Sequence, residues 1–190
     1  LQPSLFLQSI RAARQRGWKV TGHIPVALTI QEVADAGLSA IEHLGYVVRA
    51  ASSKEIDITK QRAAGTLTAR QANEQFLETF DTTIALANYQ KLAANGTAVV
   101  PTMIGSYATA YLDQNQHLND DYLKYLGPEF KRTYQWRVDR AMKDDSAAID
   151  LRHRMFETAA ALLPYLHKAG VSIIAGTDAG YLNSFDYPGL

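Results

Sequence analysis

The sequence predicts an α/β fold with a parallel sheet, and three observations carry that expectation. A helical stretch, a glycine and a short strand recur four times along the chain. The last of these strands, Val171-Ser172-Ile173-Ile174-Ala175-Gly176, is a near-continuous apolar run, as strands covered on both faces tend to be. With 190 residues, 47% hydrophobic and 20% charged, the chain has the size and composition of a folded domain and not those of a disordered or low-complexity segment.

The elements follow in order. Ser4 is a good N-cap, and Leu5, Phe6, Leu7, Ile10 and Ala13 then fall at helical spacing until Gly17. Trp18 to His23 reads as a strand ending before Pro25. Thr29 and Glu32 have capping-box spacing, opening a helix that Gly37 stops, and Ser39 to His43 follows as a strand. One long helix is expected over about 69–94, with Phe76, Phe80, Ile84, Leu86 and Leu92 on it, ending at Asn95-Gly96. Thr97 to Thr102 is the third strand. A helix from Phe156 to Ala169 closes at Gly170 and leads into the fourth.

Two stretches lie outside this repeat. Residues 47–68 are polar and read as a loop with helical turns, and 105–153 is long, charged and helical in character. The second holds Tyr107, Tyr111, Tyr122, Tyr125, Tyr134 and Trp136, so it either overhangs a site as a lid or pocket wall, or packs its aromatics into a small core of its own.

The register of the repeat singles out a few side chains. Six residues beyond each helix-stopping glycine stand His23, His43, Thr102 and Gly176, with Asp178 two further on. Side chains alternate with period two along a strand, so Gly176 and Asp178 face alike. If the four strands are equivalent, His23, His43, Thr102 and Asp178 all lie at carboxyl ends and face one way, where parallel α/β folds keep their chemistry. Two imidazoles and a carboxylate form a mixed N/O set for zinc or a similar divalent metal. The plainer alternatives are hydrogen-bonded core histidines and a turn aspartate in Gly176-Thr177-Asp178-Ala179-Gly180.

Other classes find little support. Nineteen Lys and Arg against nineteen Asp and Glu give no net charge to draw the chain to nucleic acid or anionic lipid. No apolar run approaches the roughly 20 residues that span a bilayer, and the absence of cysteine excludes disulfides and thiolate metal sites. No phosphate loop, dinucleotide-binding glycine pattern or nucleophile elbow occurs. His117, His153 and His167 lie in charged segments and read as surface residues, and Asn95-Gly96-Thr97 reads as a helix C-cap more readily than as a glycosylation acceptor. A soluble chain, cytoplasmic or periplasmic, with a small-molecule partner is expected.

The four blocks Lys19-Val20-Thr21-Gly22-His23-Ile24-Pro25, Ala36 to Leu44, Gly96 to Thr102 and Ala169 to Gly180 resemble successive strand blocks of the amidohydrolase superfamily, especially its imidazolonepropionase-like and Xaa-Pro dipeptidase-like members. The resemblance runs over nearly the whole chain apart from 105–153. It implies a partial (β/α)8 TIM-type barrel, about strands five to eight, with 1–190 as its carboxyl-terminal portion and 105–153 as a helical insertion. It also implies a metal-dependent hydrolase acting on an amide or dipeptide C–N bond. His23 and His43 correspond to metal ligands, and Asp178 to a ligand and general base. Thr102 lies where a strand faces substrate, and Tyr107, Tyr181 and Asn183 are candidate pocket residues.

The departures narrow this. No His-x-His pair occurs, a bridging lysine would precede Leu1, and 190 residues fall short of the roughly 200 that a complete barrel needs. A piece of a larger chain is therefore expected, inactive alone, whose partner is a missing amino-terminal segment or a second copy, and whose complete site holds one or two zinc ions. The alternative is a non-catalytic half-barrel that binds a small ligand or a partner chain.

Overall fold

The computed structural model describes residues 2–178. Helix α1 (Pro3–Gln15) leads to β1 (Thr21–Gly22), α2 (Ile30–Ala36) to β2 (Ala40–Glu42), and α3 (Gly45–Ala50), α4 (Glu55–Ala63), α5 (Ala69–Glu78) and α6 (Thr82–Ala94) to β3 (Ala98–Val100). Beyond β3 come α7 (Met103–Ala110), a 3-10 turn (Asp121–Tyr125), α8 (Pro128–Ala141), α9 (Ser146–Ala161) and α10 (Leu163–Lys168). The strands form one parallel sheet in the order β1-β2-β3, with Thr21 opposite Ala40 and Ile41 opposite Val99.

This corrects the expected partial TIM-type barrel. The sheet is a small open one, and helix dominates the described residues. Each strand is only two or three residues long, and the backbone takes positive φ at Gly22 at the end of β1, at His43 directly after β2 and at Thr102 two residues after β3. Strands that short neither tilt nor stagger enough to close. The expected fourth strand contributes a single parallel bridge, Val99 to Ile173, held by Val99 N–H to the Ser172 carbonyl and Ile174 N–H to the Val99 carbonyl, both 2.9 Å.

Two helices also differ from expectation. The span 69–94 is broken between α5 and α6, because Asp81 accepts from the N–H groups of Thr83 and Ile84 and starts a new helix, while Phe80 bridges to Ser52. The span 156–169 breaks at Leu162, two residues before Pro164, which has no N–H to continue the ladder. Helix α1 starts at Pro3 with Gln2 as its cap instead of Ser4. The Thr29/Glu32 capping box forms, and Gly17, Gly37, Gly96 and Gly170 all take positive φ at the helix ends where only glycine does so without strain.

The core lies between the sheet and its helices, built on Val33, Ile41, Leu44, Val48, Tyr89, Val99, Leu162 and Leu166. Ala108, Leu112, Tyr134, Val138 and Ala141 make a second, smaller cluster within the 105–153 stretch. One buried carboxyl braces the main core. Glu55 accepts from the Ile30 N–H at 3.0 Å, and burial raises its pKa against the lowering pull of that bond and of Arg49.

Gly176 sets how closely the last segment approaches β3. A Cβ there would stand 2.5 Å from Val100 Cγ1. Gly176→Ala is therefore expected to cost about 1–3 kcal/mol through overpacking, read from denaturant unfolding. An unchanged midpoint would mean that the segment yields freely and holds Asp178 only loosely.

Candidate functional site

The site forms where the strands stop. His23 follows β1, His43 follows β2 and Thr102 lies two residues beyond β3, while Asp178 lies five beyond the Ile173 bridge. His43, Thr102 and Asp178 adopt positive φ of 71°, 45° and 59°, although none is glycine. Only one other non-glycine among the described residues, His117, does so. For threonine, branched at Cβ, this region is a genuine outlier, and such strain persists where surrounding structure holds it. The chain continues to be held through the kink: the His43 N–H donates to the Val100 carbonyl at 2.9 Å and Leu44 N–H to the Pro101 carbonyl at 3.2 Å. The backbone is thus fixed while the side chain is re-aimed over the sheet edge.

Four side chains come together there. His23 Nε2 and His43 Nε2 are 2.6 Å apart, one donating to the other, with ring centroids 4.6 Å apart. His43 Nδ1 lies 2.8 Å from Thr102 Oγ1, and Thr102 is only 4% exposed. Asp178 Oδ2 stands 4.0 Å from His43 Nε2. Burial lowers the pKa of His43; Asp178 opposes this and His23 reinforces it. A lowered pKa favours the neutral imidazole, the form with a lone pair to offer.

The donors suit a divalent metal in kind, being two imidazole nitrogens and a carboxylate oxygen. Their spacing is tighter and looser than a bound ion requires. Two ligands of a tetrahedral zinc stand about 3.3 Å apart, given zinc–nitrogen bonds of about 2.0–2.1 Å. The histidine pair at 2.6 Å has to open, and Asp178 at 4.0 Å has to draw in toward His43, each of these two distances by less than an ångström. Among the described residues no three His, Asp or Glu side chains form a metal-holding group as they stand.

Space for a small molecule adjoins the pair. A hollow of about 660 Å³ next to His23 is bounded by Phe6, Pro25, Val26 and Arg62. Tyr107 stands on α7, half exposed, against Tyr111 and Phe156 at 5.0 and 5.6 Å between ring centroids. Tyr181 and Asn183 lie outside the described residues.

The 105–153 stretch holds what register reasoning missed. His153 Nε2 meets Asp113 Oδ1 at 2.9 Å, His117 Nδ1 meets Asp120 Oδ2 at 2.7 Å, and both histidines are half-buried, whereas His167 is exposed. The His117/Asp120 spacing of three residues was a usable signal; the His153–Asp113 pairing, forty residues apart, was not.

No family model matches the chain, and no curated protein does. Among solved structures, one named AH, bottromycin amidohydrolase, is similar with a TM-score of 0.58 at 20% sequence identity. The likeness is one of fold. It covers 93% of this chain and 35% of the other, so the chain spans about a third of the length of the structure it matches. No helix among the described residues is long and apolar enough to cross a membrane.

Proposed function

We propose that this chain carries part of the active site of a hydrolase acting on amide C–N bonds, with His23, His43 and Asp178 as ligands of a divalent metal, zinc by donor type, and Asp178 as general base. The observation that carries the reading is the convergence of His23 and His43 at adjacent strand ends, with His43 braced by Thr102 and flanked by Asp178. The fold likeness to an amidohydrolase supports the same reaction class.

A divalent metal held by this set would supply Lewis acidity, making water more acidic and an amide carbonyl more electrophilic. The chain's own groups do the rest. His43 is kept neutral by burial and oriented through Nδ1, so its Nε2 can present a lone pair. Asp178, with its side chain 43% exposed, can take a proton from water at a carboxylate oxygen and return it to the departing nitrogen. Thr102 acts through His43, and the exposed ring of Tyr107 on α7 is available to a substrate, a small amide or peptide.

Asp178→Asn keeps an oxygen near His43 but removes the base. In the protein that contains this chain, hydrolysis of small amide substrates is expected to fall about a hundredfold while folding is retained. Turnover equal to the parent's would contradict the assignment of Asp178.

A further inference from the structure

A second cavity, of about 240 Å³, opens where the site leaves off. It begins at Leu44 and Gly45, directly after His43, and at Ser106, one turn of α7 beyond Thr102, whose carbonyl accepts from the Ser106 N–H at 3.3 Å. Leu44, Leu151, Met155, Phe156 and Ala159 give it an apolar wall. Small-molecule pockets usually run from roughly 300 to 1,000 Å³, so this one has room for a single ring or a branched aliphatic group.

Its polar wall decides what that group can carry. Arg152 supplies the only positive charge in the lining, and two carboxylates offset that charge: Nη1 donates to Asp144 at 2.8 Å, and Asp113 Oδ1 lies 3.8 Å from Nη2, while Nε and Nη2 are buried without a hydrogen-bond partner and so can donate to a neutral acceptor. One cation between two carboxylates leaves no surplus positive charge for an anion. The lining itself holds no carboxylate to receive a cation. The remaining polar groups are neutral: the Asn73 carboxamide and the Ser106 hydroxyl offer both donors and acceptors, and the Thr109 hydroxyl already donates to the carbonyls of Gly105 and Ser106.

We propose that this cavity is a specificity pocket for an uncharged, largely apolar group bearing a neutral hydrogen-bonding function such as a carboxamide, and that it selects amide substrates with a ring or branched aliphatic side chain over acidic and basic ones. Its assignment to a substrate rests on the hydrolytic reading above; its preference among ligands does not.

The test is direct binding to the whole chain, by saturation of NMR shifts, of three ring compounds of one size: benzamide, benzoate and benzylamine. Benzamide is expected to saturate, with the two charged probes at least about tenfold weaker, the worth of an uncompensated buried charge. Ala159→Leu, which fills the cavity, should weaken benzamide at least tenfold. Ser106→Leu, on a half-exposed position, gives the same reading should the core substitution unfold the chain. Benzamide binding by this chain, together with no hydrolysis of small amides by the longer protein that contains it, would sink the hydrolase reading and keep the pocket. Equal affinity for benzoate or benzylamine, benzamide binding untouched by a folded filling variant, or no saturable binding would overturn the proposal.

Discussion

Tyr89→Ala is expected to lower the unfolding free energy by about 3–5 kcal/mol, enough to leave a domain of this size marginal or unfolded. Tyr89 is fully buried at 0% exposure on α6, and its hydroxyl donates to the Val47 carbonyl of α3 at 2.8 Å. Two contributions add. Removing the ring opens a cavity between α6 and α3, and the Val47 carbonyl loses its donor. Tyr89→Phe separates them, since it keeps the ring and drops only the hydrogen bond, and a cost of about 1–2 kcal/mol is expected. Denaturant titration of both variants checks this. Equal midpoints for the two would place the whole effect on the hydroxyl and contradict the packing account.

The second large effect concerns metal affinity. His23→Ala together with His43→Ala is expected to abolish zinc binding, weakening it more than a thousandfold by calorimetric titration, while the stability of the chain changes little. His43 contributes to the fold mainly through its backbone, whose N–H is bonded to Val100, and that bond survives the substitution. The His23 ring meets His43 at a half-exposed edge, so its loss removes little burial. Thr102→Val is a milder version: it retains shape and removes the hydroxyl beside His43 Nδ1, and about a tenfold loss of zinc affinity is expected from the loosened ring.

Much of this was legible in the sequence because it depends on local rules. The four glycines mark helix ends since a left-handed residue is needed there, and the Thr29/Glu32 box announces α2 by spacing alone. Counting from those glycines pointed to His23, His43, Thr102 and Asp178, and the structure places the first three in a hydrogen-bonded line with Asp178 alongside. The reasoning by strand alternation did not extend to Asp178, because its φ of 59° leaves the strand geometry that alternation assumes.

What was not legible depends on tertiary placement. Strand length is set by pairing and by the kinks at His43 and Thr102, so strands of five or six residues and a barrel were expected where strands of two or three residues and an open sheet form. Helix continuity across 79–81 was overruled by the Asp81 cap and the Phe80–Ser52 bridge, since Phe80 fits a helical stripe equally well. The 240 Å³ cavity draws Asn73, Ser106 and Arg152 from three different helices, and no spacing rule brings those together.

In the proposed site His23 and His43 hold a metal side by side. X-ray absorption spectroscopy at the zinc edge of the zinc-loaded chain counts those ligands directly. Two imidazole nitrogens at about 2.0–2.1 Å, with oxygen completing the shell, are expected, and their multiple-scattering signature should disappear in the double histidine variant. A shell of oxygen alone, or an unchanged imidazole count in that variant, would contradict the site described for this chain.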